Sequence, residues 1–156
     1  MKINGKSIEQ AAEEVIVFPR SNGNLVFKAK PVSKYEDFDR ICPRPKPLSV
    51  MRPGGVTSED VESPKYKKAL DDWASQRTHW MILKSLSATE GLEWETVDMS
   101  KPETYENYVK ELEDSGLTGV EVAKLFEIIQ TACGLNQSKI DEATAAFLAT
   151  QADQKE

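Results

Sequence analysis

The sequence predicts a mainly α-helical protein with a small N-terminal β-hairpin, an extended Pro-rich arm and a bundle of about four helices. Three observations carry that expectation. Apolar residues recur at helical spacing through much of the stretch from Pro64 to Leu148. One earlier run, Val15 to Lys30, is β-branched and partly alternating around an Asn22-Gly23 pair. Between them, Pro43, Pro45, Pro47 and Pro53 remove amide donors and fix φ, so residues 43–55 read as an extended linker ending in a Gly54-Gly55 joint.

The elements follow in order. Val15-Ile-Val-Phe18 and Leu25-Val-Phe-Lys-Ala-Lys30 form the two hairpin strands, with Leu25, Phe27 and Ala29 on one face and Phe27 expected to point inward. Ser33 and Glu36 are spaced as a capping box for a short helix through Tyr35, Phe38 and Ile41. Ser63 and Pro64 open a long helix to about Ser87, whose stripe includes Tyr66, Leu70, Trp73, Trp80 and Leu83. Glu90–Asp98 partly alternates after Gly91 and reads as extended. Ser100/Glu103 and Thr118/Glu121 have the spacing of two further capping boxes, and Gly116 and Gly134 stop the helices they open. Asn136 caps a last helix through Ile140 and Phe147, ahead of a polar, frayed tail.

A length of 156 residues suits one domain with an ordered arm, large enough for a core without disulfide or metal staples. The formal net charge is −6, which argues against a nucleic-acid binder. That figure conceals a split: residues 1–53 carry ten Lys/Arg and six Asp/Glu, net +4, and residues 54–156 carry ten and twenty, net −10. The expected organisation is therefore an N-terminal segment 1–55 (hairpin, short helix and basic arm) and an acidic helical domain 56–156. No apolar run approaches the roughly 20 residues of a membrane span. The first residues lack the apolar region of a secretory signal. Cys42 and Cys133 are remote from each other, as expected of small buried thiols in a reducing compartment.

Catalytic patterns are missing from the sequence. His79, the sole histidine, is flanked by no identifiable nucleophile or orienting acid. One histidine and two distant cysteines make no zinc pattern, no EF-hand loop occurs, and Gly54-Gly55 is not followed by the Lys-Ser/Thr of a phosphate loop. No catalytic residue, cofactor or metal is expected. The Pro-rich run lacks PxxP spacing among Pro43, Pro45 and Pro47, and reads either as a stiff linker or as an arm that docks on an acidic partner. The Trp73/Trp80 stripe reads either as bundle core or as a groove for an apolar helix of another protein.

Two stretches give the chain a further character. One is the hairpin followed by Tyr35-Glu-Asp-Phe-Asp-Arg-Ile-Cys-Pro-Arg-Pro-Lys-Pro47. The other runs from Tyr66-Lys-Lys-Ala-Leu through Trp80-Met-Ile-Leu, Leu92-Glu-Trp-Glu and Tyr105 to Gly116, and ends with Asn136 to Ala143 and Phe147-Leu148. In that order the segments resemble the phage tail assembly chaperones of siphovirus-like viruses. The resemblance implies a non-enzymatic protein of the host cytoplasm that coats the tape measure protein before the tail tube polymerises, with the tail tube protein as a further partner. It also implies that this chain is the shorter product of a frameshifted gene, or the whole product where no frameshift occurs. On that reading Trp73, Trp80, Phe126 and Phe147 form or support the client surface. Phe27, in the hairpin, and Arg44, Lys46 and Arg52, in the basic arm, serve pairing between copies, the arm meeting an acidic bundle. The alternative is a structural tail or connector protein that stays in the particle. Neither nucleic acid nor membrane is expected as a partner.

Overall fold

The computed structural model describes residues 2–7, 13–134 and 137–153. Strands β1 (Lys2–Ile3) and β2 (Lys6–Ser7) pair around Asn4-Gly5, both at positive φ. Strands β3 (Glu14–Arg20) and β4 (Gly23–Ala29) form the expected hairpin, and β5 (Leu48–Arg52) and β6 (Val56–Asp60) form another. Helices α1 (Glu36–Ile41), α2 (Pro64–Leu86), α3 (Asn107–Asp114), α4 (Gly119–Ala132) and α5 (Gln137–Asp153) complete the order, with a 3-10 turn at Pro102–Thr104.

The architecture is mixed α/β rather than mainly α with a single hairpin: five helices accompany three two-stranded antiparallel sheets among the described residues. The proline argument fails at β5–β6 because Pro53 falls in the turn, not in a strand. Val50, Val56 and Thr57 favour extended backbone, and Gly54 and Gly55 supply the turn at φ 94° and 77°. The small β1–β2 ribbon follows from an Asn-Gly pair, the strongest short hairpin signal. The four-helix bundle is corrected too, because every described α5 side chain is exposed and none of them enters the core.

The core lies where β3–β4, α2, α3 and α4 meet. Phe18, Phe27 and Ala29 face inward from the hairpin, the two phenyl rings packing edge to face at 6.1 Å. The inward face of α2 is buried only towards its C-terminal end, at Trp80, Leu83, Ser85 and Leu86. Two-stranded ribbons are marginal alone, and this one is tied at its β4 edge to the end of α2. The Lys30 amide donates to the Ser85 carbonyl at 3.1 Å, and the Ser85 hydroxyl donates to the Lys30 carbonyl at 2.8 Å. Thr89 takes the Lys28 amide at 2.9 Å and donates to the Lys28 carbonyl at 3.0 Å. Ser85 is fully buried, and its hydrogen bond explains why a polar side chain is tolerated there.

Helix α4 covers this inward face of the sheet with Val122, Leu125, Ile129 and Ala132. The Thr118/Glu121 capping box forms as expected. Glu121 also grips Arg20 of β3 through two hydrogen bonds, 2.8 and 3.0 Å, so one carboxylate both starts the helix and clamps it to the strand. Gly116, at φ 92°, ends α3 in a Schellman turn: Leu117 N–H reaches the Leu112 carbonyl and Gly116 N–H the Glu113 carbonyl. Leu112 and Leu117 are both buried beside it.

Other local expectations need correction. The Ser100/Glu103 box does not form, because Asp98 captures the Ser100 amide and hydroxyl and the following turn is 3-10. Ser33 does not cap α1, whose N-cap position is Tyr35. Residues 90–98 are irregular instead of extended, held by Glu111, which accepts from the Glu95 and Thr96 amides and the Thr96 hydroxyl. The expected Asn136 cap lies outside the described residues.

Replacing Ser85 with Ala strips the Lys30 carbonyl of its buried donor and should cost about 1–3 kcal/mol. Urea unfolding should show a lower midpoint at an unchanged m-value. An unaltered midpoint would mean that the Ser85 hydroxyl contributes nothing to the α2–β4 tie.

Candidate partner-binding surfaces

The residues singled out in the sequence fall into three different environments. Trp80 (2% exposed) and Phe27 (3%) are core. Trp80 packs against Tyr35 and Phe38 with ring centroids 5.6 and 5.9 Å away, so it supports a surface rather than forming one. Phe126 is half-buried against the Tyr108 ring at 6.2 Å. Trp73 is half-buried, and its indole N–H donates to the Cys42 carbonyl at 2.9 Å, which ties the start of the arm to α2.

Beyond Cys42 the arm leaves the core. Arg44 lies over the Trp73 ring at 5.6 Å, and Lys46 and Arg52 are exposed. The Arg52 Nε donates to the Ser58 hydroxyl at 2.6 Å across the β5–β6 hairpin. Every side chain of β5 is exposed, and Met51 stands 79% open near the turn. Phe147 (62%) and Leu148 (60%) stand open on α5 together with Ile140. Among the described residues α5 and β5–β6 thus carry apolar side chains without cover, and of the four client-surface candidates Phe147 is the open one.

A shallow cluster surrounds Trp73. The guanidinium of Arg77 stacks over Tyr35 at 3.9 Å and approaches Trp73 at 5.6 Å, while its Nε is buried without a hydrogen-bond partner. A larger hollow of about 820 Å³ opens between β4, the 89–96 segment and α3. Leu25, Leu92 and Trp94 give it apolar lining, and Glu93, Glu95 and Asp114 are among its carboxylates. This hollow escaped the sequence reading, although a signal is present: Leu92 and Trp94 alternate with Glu93 and Glu95, and in the structure the two apolar side chains are half-buried and the two carboxylates exposed along the same lining.

Titratable groups show how the acidic surface is held. Burial pushes the Glu111 carboxyl up, but the Thr96 hydroxyl and the Glu95 and Thr96 amides outweigh it and hold the group below the usual carboxylate range. Hydrogen bonding to Arg20 is the chief reason that Glu121 is held low as well. Burial pushes the Tyr108 phenol up to about 12, and His79 Nδ1 lies 3.2 Å from its oxygen. Burial raises the Cys42 thiol too, away from the thiolate form that nucleophilic chemistry uses. Among the described residues no group of three or more His, Cys, Asp or Glu side chains could hold a metal ion. No described helix is long and apolar enough to cross a membrane.

Against known proteins, the chain matches no family model, no curated sequence and no solved structure.

The shifts set a stability profile. Carboxylates held low contribute fully above their unfolded pKa, and that contribution disappears as pH falls through the folded value. Tyr108 and Cys42, held high, contribute fully below their unfolded values and lose that contribution as pH rises through the folded ones. Urea midpoints should therefore be flat from about pH 5 to about pH 8 and fall on both sides. Arg20→Ala should flatten part of the acid limb; an identical limb in the variant would remove the Arg20–Glu121 pair from its causes.

Proposed function

We propose that the chain is a non-enzymatic assembly protein that captures an extended helical client and self-associates around it. In the specific form the sequence resemblance suggests, it is a phage tail assembly chaperone working in the host cytoplasm, with the tape measure protein as client and the tail tube protein as a further contact. The observation that carries the reading is the exposure of α5 and β5–β6. Both are ordered, and both present apolar side chains to solvent. Patches of that kind mark contact surfaces, while a net charge of −6 keeps such a protein dispersed between encounters. The apolar side of α5 has the i, i+7, i+8 spacing, at Ile140, Phe147 and Leu148, with which a helix packs against another helix.

The same open hairpin favours a second reading, a tail or connector subunit in which β5–β6 joins a sheet shared around a ring. Mass spectrometry of purified particles separates the two. Stoichiometric presence supports the structural subunit, and absence supports the chaperone.

Co-expression tests the client reading. A tape measure fragment that aggregates alone should stay in the supernatant with the wild-type chain, and Phe147→Asp should lower the soluble fraction at least about tenfold, as expected of a lost aromatic anchor. A fragment that precipitates equally with and without the chain would refute client capture.

A further inference from the structure

We propose that the β5–β6 hairpin of one copy docks into the acidic hollow of a second copy, which would make the chain a head-to-tail assembling unit. The inference rests on the self-association reading above and assigns it an interface. The hairpin is an ordered two-stranded ribbon, a form that is marginal in water without a partner. Its tip carries Val50, Met51, Arg52 and Val56, all exposed. Arg52 has no carboxylate partner among the described residues: its one hydrogen bond, from Nε, goes to Ser58, so the rest of the guanidinium fork is available. The tip is thus apolar with a single basic group.

The hollow is the converse. At about 820 Å³ it is of a size that binding clefts commonly have. Leu25, Leu92 and Trp94 offer apolar contact for Met51 and Val56. Two of its five carboxylates are engaged within the chain, Glu90 by Lys28 and Glu111 by the 95–96 backbone. Glu93, Glu95 and Asp114 have no ion pair among the described residues, and only Lys110 offsets them in the lining. An incoming Arg52 would find exposed carboxylates beside apolar lining, where a guanidinium can pair with two oxygens at once.

The two surfaces are formed by different residues, so the contact is heterologous. Such contacts propagate unless the rotation closes a ring. This gives a physical basis for coating something long, and the charges at the contact are complementary: the hairpin tip brings Arg52, and the hollow brings Glu93, Glu95 and Asp114.

Sedimentation velocity on the full chain and two surface variants tests the proposal. One variant, Met51→Asp with Arg52→Glu, disables the tip; the other, Glu93→Gln with Glu95→Gln, neutralises the rim without offering the acidic tip a new partner. All four positions are exposed, so the fold is retained. Wild type should form species beyond the dimer as concentration rises, more readily at about 50 mM than at about 500 mM salt. Each variant alone should associate at least about thirtyfold more weakly. An equimolar mixture should form a 1:1 complex that grows no further, because it retains one working tip and one working rim. Monomeric wild type, either variant assembling like wild type, or a mixture without the complex would overturn the proposal. Client capture is read on the same samples. Wild type that assembles but captures no client would refute the client reading alone, and variants that assemble and capture normally would refute the docking alone.

Discussion

The fold depends on how the edge of β4 is closed. A hairpin of two strands cannot bury enough surface to persist alone, and its outer edge exposes backbone groups that must find partners. Here the last turn of α2 and the residues after it supply them. The Ser85 carbonyl and hydroxyl serve Lys30, and the Thr89 hydroxyl serves both backbone groups of Lys28. The helix therefore acts as a third strand in hydrogen-bonding terms while burying Trp80, Leu83 and Leu86 beside the hairpin. Once that edge is closed, Phe18 and Phe27 are held inward, and α4 can lie across the sheet with its Arg20–Glu121 clamp.

The tie also decides what remains outside. Because α2 is buried towards one end, its N-terminal half extends beyond the core, with Tyr66, Ala69 and Leu70 only half-buried. The arm follows it through the Trp73–Cys42 hydrogen bond and the Arg44 contact, and then separates into β5–β6. At the opposite end of the chain α5 projects with its apolar side uncovered. Among the described residues, then, α5 and β5–β6 are where apolar side chains remain available for contacts with other molecules.

Much of the body was legible in the sequence, and particular residues show why. The β3–β4 hairpin, the start of α2 at Ser63-Pro64, the Thr118/Glu121 box and the stop at Gly116 are all governed by local chemistry, so residue type and spacing suffice. The errors arise where short-range signals compete. Pro43 to Pro53 suggested a linker, yet only Pro53 bears on β5–β6, and it occupies the turn. Ser100 has capping-box spacing to Glu103, but Asp98 is two residues away and captures it first. Helical spacing placed α5 correctly as a helix but could not reveal that it packs on nothing within the chain's core, since amphipathicity states that a face needs a partner without saying which. The acidic hollow was hidden for a similar reason: Glu111 organises the 95–96 backbone from more than a dozen residues away, a contact that no local pattern encodes.

Amide hydrogen exchange tests the central claim most directly, because it reads the β4 edge bond by bond. The Lys28 and Lys30 amides, bonded to Thr89 and Ser85, should be protected to the same degree as the buried end of α2 and should open together with it. The amides of β5–β6 should exchange far faster at low protein concentration. If Lys28 and Lys30 exchange as fast as the β5–β6 ribbon while α2 stays protected, the helix does not close the β4 edge and the hairpin is held by something else.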